Sequence, residues 1–308
     1  MVNSSLVILP VTVKDGAGRL VPDLQKEEFR VLEDDVEQRI DVFTAEAFPL
    51  SMVVLIDNDL KSKDAKQVES SLDAIVGGMS TIDEAFICRF DQFFHEGKGF
   101  TNDQDKLLTE LSRTRLDSQP SVAPQGAPSN EPTINGHSVT GGPAVAGATM
   151  ALKGQSTKAL DDAVFSAAQL LKERARNRRR IIFLISDGQN GGKKANTNTY
   201  DNTVKELLSH SISVFGVGVG SAIFDRRFER LSKYAHDTGG DVYYAAKRES
   251  MEELYARVTE EARNQYTLAY MPRNTDRAKE YHDIEVRVKR EGVKIQTRDR
   301  YYSGPVSR

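Results

Sequence analysis

The stretch Ser51-Met52-Val53-Val54-Leu55-Ile56-Asp57-Asn58-Asp59 is an apolar run that stops abruptly at two carboxylates spaced i, i+2. A short run that is apolar at every position predicts a strand buried on both faces, the kind found in parallel sheets covered by helices. Asp57 then stands at the carboxyl end of that strand. In open α/β sheets ligands bind at this end, above all where the strand order reverses. A second run, Arg180-Ile181-Ile182-Phe183-Leu184-Ile185-Ser186-Asp187-Gly188, again ends in an aspartate. Whether the two ends meet decides whether the chain holds a site between them.

Outward from Ser51, strands alternate with helices, the pattern of βαβ units and a mostly parallel sheet. Helical spacing of apolar residues predicts helices over 64–79, 160–176, 200–210, 225–237 and 250–263, with strands over 85–90, 93–98, 181–186, 212–219 and 241–244. Both flanks are β-rich. Strands are expected over 6–13, 29–33 and 38–44, and again over 265–271, 283–289 and 293–297, the last two joined as a hairpin by Glu291-Gly292. The flanks leave fewest open edges if they pair with each other. The expected fold class is therefore α/β, a mostly parallel sheet inserted in a small β-sandwich-like domain formed by both chain ends. Boundaries fall at 1–48, 49–263 and 264–308. Residues 117–157, rich in Pro, Gly, Ser and Ala, are expected to form a flexible insertion.

The 308 residues carry 42 basic and 45 acidic side chains, net charge −3, so no global field draws in nucleic acid or an anionic membrane. The basic block at 172–180 reads as a solvated helix end, where cations complement the macrodipole. Cys88, the one cysteine, lies in an apolar strand and reads as a buried small hydrophobe. No run is long and apolar enough to insert in a membrane. The expectation is an exported protein, periplasmic or extracellular, whose signal is absent from this sequence, with a cytoplasmic place left open. The histidines at 95, 137, 210, 236 and 282 lack ligand spacing and read as surface or turn residues. Gly216-x-Gly218-x-Gly220 reads as strand-end glycines rather than a dinucleotide loop.

At Asp57-x-Asp59-x-Lys61, Leu160-x-Asp162-Ala163, the strand ending Ser186-Asp187-Gly188 and Val214-Phe215-Gly216-Val217-Gly218-Val219-Gly220, the chain resembles a von Willebrand factor A-type domain. Three flanking stretches resemble the A-domain-related (VWFA-related) proteins of acidobacteria. They are Val11-Thr12-Val13-Lys14-Asp15-Gly16, Leu24-x-Lys26-Glu27-Glu28-Phe29-Arg30-Val31-x-Glu33-Asp34 and Tyr266-Thr267-Leu268-Ala269-Tyr270-Met271-Pro272. The resemblance implies an α/β fold with a doubly wound, mostly parallel six-stranded sheet in the order 3-2-1-4-5-6 and an adhesion site at the carboxyl ends of its first and fourth strands. In members that keep the site, Mg²⁺ or Mn²⁺ is held by Asp-x-Ser-x-Ser, a threonine and an aspartate, and a carboxylate of the protein ligand completes the shell.

Carried over position by position, the resemblance places metal ligands at Asp57, Asp59 and Asp187. Lysines then stand where oxygen donors are expected, Lys61 at the second serine and Lys158 at the threonine, beside Thr157. An ammonium cannot ligate Mg²⁺, so the site reads as degenerate, with Lys61 and Lys158 as metal-replacing cations. No cofactor is then expected, with Mg²⁺ or Mn²⁺ as the competing outcome. The predicted function is a non-enzymatic protein-binding or adhesion module, its partner offering an acidic side chain to a rim that includes Asn58, Thr157, Gly188, Asn190 and Ser221. Two alternatives stand beside it: a Mg²⁺-dependent phosphoryl-transfer enzyme with Asp57 as nucleophile, and a structural domain with a dead site. For the aspartates taken singly, helix capping and a tight turn are the plain readings.

Overall fold

In the computed structural model, residues 6–116, 133–134, 137–138, 158–175, 177–220, 230–244, 248–273 and 279–304 are described. The amino-terminal flank forms β1 (Val7–Lys14), β2 (Phe29–Glu33), β3 (Val36–Gln38) and β4 (Val42–Thr44). The middle of the chain runs β5 (Leu50–Asp57), α1 (Ser62–Glu69), α2 (Asp73–Gly77), β6 (Glu84–Phe90), β7 (Phe94–Glu96) and α3 (Gln104–Arg113). A two-stranded pair follows, β8 (Thr133–Ile134) with β9 (His137–Ser138). Next come α4 (Leu160–Lys172), β10 (Arg179–Ser186), α5 (Tyr200–Ser209), β11 (Ile212–Gly218), α6 (Arg230–Thr238), β12 (Val242–Tyr244) and α7 (Arg248–Arg263). The carboxyl-terminal flank supplies β13 (Tyr266–Tyr270), β14 (Tyr281–Val288), β15 (Lys294–Gln296) and β16 (Arg300–Tyr302).

Every residue of β5 is buried, because the strand sits in the middle of a six-stranded sheet ordered β12-β11-β10-β5-β6-β7. Numbered by their order in the chain, these strands run 6-5-4-1-2-3 across the sheet. All pairings are parallel except the β6–β7 hairpin. Alternate side chains of β5 feed two cores. Met52, Val54 and Ile56 pack with Val68, Leu72, Leu107, Leu111, Tyr255 and Val258 from α1 to α3 and α7. Val53 and Leu55 pack with Val164, Ala167, Leu171, Leu207 and Tyr234 from α4 to α6. Helices thus cover both faces. This is the doubly wound α/β arrangement expected from the sequence.

The chain ends add two four-stranded sheets, β15-β1-β13-β4 and β16-β14-β2-β3, each mixing strands from both ends. Leu9, Val11, Phe29, Val31, Leu268, Tyr270 and Ile284 share one apolar cluster between them. The β2–β3 turn is left-handed at Asp34 (φ 46°) and Asp35 (φ 65°), the geometry that matches strand twist in a tight hairpin.

Several local expectations change. The single helix over 64–79 is two, because the buried Ser71 hydroxyl turns back on the carbonyls of Gln67 and Val68 and interrupts the helix. Helix α3 and strand β16 have no counterpart in the sequence reading. The strand over 38–44 divides into β3 and β4, which lie in different sheets. Glu291-Gly292 does not close a hairpin: β14 pairs with β2 and β16, while β15 pairs with β1. After a left-handed Gly292 (φ 72°) the chain changes sheets instead. The insertion over 117–157 lies outside the described residues apart from β8 and β9.

The basic block is not a solvated helix end. Arg174 pairs with Glu84, at 2.7 Å, and Arg178 donates to the carbonyls of Leu50 and Ile82, each at 2.6 Å. Arg179 is half-buried, donates to the Gln265 carbonyl and stacks on Phe48; desolvation pushes its guanidinium down to about 10. His282 is also misread as a surface residue. It is 2 % exposed, with Nδ1 2.8 Å from Asp34 Oδ2. Cys88 is buried as expected, and burial pushes its thiol up to about 12.

Candidate functional site

Strands β5 and β10 lie side by side and parallel, with Ile56 opposite Ile185, so Asp57 and Asp187 leave the sheet together at its carboxyl end. Lys158, just before α4, reaches into the space between them. Its Nζ is 2.9 Å from Asp57 Oδ2 and 2.9 Å from Asp187 Oδ1. All three residues are buried. The Ser186 hydroxyl donates to Asp57 Oδ2 at 2.8 Å, and the Asp59 amide donates to Asp57 Oδ1 at 3.0 Å. The Gln189 amide donates to Asp187 Oδ1 at 3.0 Å.

The backbone around Lys158 ties the same parts together. Its carbonyl accepts from the Gly191 amide at 2.8 Å, and the next amide, Ala159, donates to the Asp91 carbonyl at 2.8 Å. Lys158 and Ala159 together therefore link the end of β5 to the loops that follow β6 and β10. Gly188 is left-handed (φ 76°), which lets the chain turn at once behind Asp187 and brings its amide to the Ser186 hydroxyl at 3.0 Å.

One ammonium faces two carboxylates here, so the buried trio carries one surplus negative charge when fully ionised. Burial pushes the Asp57 carboxyl up to about 6; Lys158 opposes that rise and Asp187 adds to it. Burial also raises Asp59, again opposed by Lys158. Burial by itself would lower the Lys158 ammonium, but the two carboxylates outweigh it and hold it above the usual lysine range.

Lys61 does not join this cluster. It is exposed and forms the N-cap position of α1, four residues beyond Asp57, so it corrects the expectation of two lysines among the aspartates. Asn58 is not a rim residue. It is buried, with its amide nitrogen 3.1 Å from Asp91 Oδ2 and its backbone amide on the Phe90 carbonyl. Asn190 is half-buried and donates to Asp161 Oδ2 at 2.8 Å. Thr157 and Ser221 lie outside the described residues. The sequence reading missed Ser186 as a donor to Asp57, although it sits next to Asp187 in the quoted run. It also missed Asp161, which is buried and accepts from the Tyr234 hydroxyl at 2.7 Å, with Arg230 3.3 Å away. No local signal marks Asp161, since its partners come from α6 and the loop after β10.

A divalent cation at this place would need the volume that Lys158 Nζ takes, and an ammonium offers it no lone pair. The donor set as arranged does not fit Mg²⁺ or Mn²⁺. Among the described residues no group of three or more His, Cys, Asp or Glu side chains is arranged to hold a metal ion.

With the sheet order and the strand-end aspartates established, comparison with known families adds the deciding observation: residues 144–257 match the von Willebrand factor type A domain. That span is similar to an A-type domain. The matched span contains Lys158 and Asp187 and begins after β5, so Asp57 lies outside it. Among solved structures, the chain is similar to the conserved hypothetical protein BatB from Bacteroides thetaiotaomicron, with 12% identity over 69% of this chain and 98% of that one, TM-score 0.45. It is similar to an aerotolerance-related membrane protein from Bacteroides fragilis, with 15% identity over 68% of this chain and 98% of that one, TM-score 0.44. A von Willebrand factor type A protein from Catenulispora acidiphila covers 98% of this chain and 75% of its own length at 9% identity, TM-score 0.47. No curated protein matches. The fold is A-type, with extra β-sheets built from the chain ends. Among the described residues no helix is long and apolar enough to cross a membrane.

Proposed function

We propose that this chain is a non-enzymatic protein-binding module that docks its partner on the carboxyl-end face of the central sheet, with Lys158 standing in for the adhesion-site metal. The observation that carries this reading is the Lys158 ammonium, buried 2.9 Å from both Asp57 and Asp187. It ties the two strand ends together from within. A-type domains commonly serve protein interaction and are typically non-enzymatic.

Exposed lysines at 61 and 63, on the side of β5, and at 193 and 194, beyond β10, supply a basic rim on a chain of net charge −3. Such a rim suits a partner that presents acidic side chains. The phosphoryl-transfer alternative needs an approachable carboxylate, whereas Asp57 is 0 % exposed with both oxygens engaged. The same reading takes the chain as an exported relative of the acidobacterial A-domain-related proteins.

Titration calorimetry with Mg²⁺ and Mn²⁺ tests it. The native protein is expected to give no saturable heat, and Lys158→Thr, which empties the space and restores a hydroxyl, is expected to gain metal binding. Saturable binding of Mg²⁺ to the native chain, lost in Asp57→Asn, would overturn the lysine-for-metal reading.

A further inference from the structure

We propose that the groove between β12 and β15 is a second docking site, built to take an extended acidic peptide segment of a partner protein. It lies at the far edge of the central sheet from β7 and does not depend on the lysine-for-metal reading. β12 ends the central sheet and β15 ends one of the chain-end sheets, and no described strand pairs with the outer side of either. Between them lies a groove of about 670 Å³, lined also by α6 and by Arg257 of α7. That volume suits a ligand of a few residues.

The groove is closed at one end and charged at the other. At the closed end the Gln296 amide donates to the Gly240 carbonyl, and the chain packs so closely that a Cβ on Gly239 would lie 2.6 Å from the Arg298 amide nitrogen. At its base lies a polar cluster in which Lys14 Nζ is 2.7 Å from Asp241, 2.7 Å from Glu261 and 2.9 Å from the Tyr243 hydroxyl. Lys14 therefore offers no free charge to an incoming ligand. The exposed Arg257 and Lys294 do, since neither forms an ion pair with a described carboxylate. Arg257 is poised over the Tyr243 ring, 5.1 Å from its centroid, with its guanidinium on the Gly18 carbonyl.

Of the two walls, β15 is the one on which a peptide would pair. The first amide of β12, Val242, is already taken by the Asp241 carboxylate at 2.8 Å. By the alternation of an antiparallel ladder, Ile295 is the residue of β15 that turns its N–H and C=O away from β1, an anchor for a short extended segment. Unpaired strand edges recognise extended backbone, and the two cations select acidic side chains along it.

The test uses the full chain and a fluorescein-labelled six-residue peptide alternating glutamate and valine, followed by fluorescence anisotropy. Three results are expected together: saturable binding that weakens at least tenfold in Lys294→Glu, weakens at high salt, and is lost when the peptide amides are N-methylated. Lys294 is exposed, so its replacement leaves folding intact, which circular dichroism verifies. An acidic peptide that binds no better than its lysine–valine counterpart, or equally well to Lys294→Glu, overturns the proposal. Retained binding of the N-methylated peptide overturns the strand-pairing mode.

Discussion

Replacing Lys158 by methionine keeps the length of the side chain and removes the only cation within hydrogen-bonding distance of Asp57 and Asp187 among the described residues. Breaking a buried pair from one side leaves uncompensated charge and costs about 3–5 kcal/mol. Here two carboxylates are stranded, so the upper part of that range is expected near neutral pH. Asp57 already carries an ionisation cost in the native protein. Its rise from 3.8 to about 6 corresponds to roughly 3 kcal/mol at about 1.4 kcal/mol per unit. A carboxyl raised in the folded state contributes stability that is fully present below 3.8 and is lost as pH climbs through the folded value. Lys158 opposes that rise, so in the methionine variant the folded value moves higher and the window of loss extends further up. The gap in stability between native and variant is thus widest above pH 6 and narrows toward pH 4, where Asp57 is protonated in both. Urea denaturation at pH 7 and pH 4.5 measures it. A loss below about 1 kcal/mol at pH 7, or a gap that stays constant with pH, would refute the view of Lys158 as the charge that holds the two strand ends together.

Two further substitutions probe what positions the site. Gly240→Ala would drive a methyl into the Val214 carbonyl oxygen, a backbone atom of β11 that cannot yield, and a loss of about 3 kcal/mol in thermal denaturation is expected; a variant as stable as the native protein would show that the strand shifts freely. Arg179→Met strands the Gln265 carbonyl at the junction of the central sheet and β13, for an expected cost of about 1–3 kcal/mol, and an unchanged melting temperature would remove the arginine from the account of that junction.

The parts legible in the sequence share a physical property: their signal is local. Apolar runs that stop at Asp57 and Asp187 announce buried strands with carboxylates at one end, and alternation of such runs with helical spacing announces a mostly parallel sheet. What was misread depends on partners distant in the chain. Arg178 and Arg179 look like a solvated helix end until Leu50, Ile82 and Gln265 are brought to them. Glu291-Gly292 looks like a hairpin turn because turn residues say where a chain bends, not which strand receives it. Lys61 and Lys158 are both lysines at metal-ligand positions by counting, yet Lys61 stands at the start of α1 and points to solvent while Lys158 enters the site. Counting places a residue along the chain; the helix start decides which way its side chain leaves.

The difference between a lysine and a metal at this junction is one of permanence. A divalent cation holds strand-end loops together only while its concentration exceeds its dissociation constant, so docking through it is conditional on the ion. An ammonium carried two residues before α4 is present whenever the chain is folded, and the backbone there simultaneously fixes Gly191 and, through Ala159, Asp91. The loops after β5, β6 and β10 are then ordered before any partner arrives, and the entropy of ordering them is not charged to binding. It follows that partner affinity on this face should be indifferent to chelators yet sensitive to salt, because the remaining handles are the exposed lysines at 61, 63, 193 and 194. A partner interaction abolished by EDTA at constant ionic strength would be incompatible with this arrangement, whatever the partner proves to be.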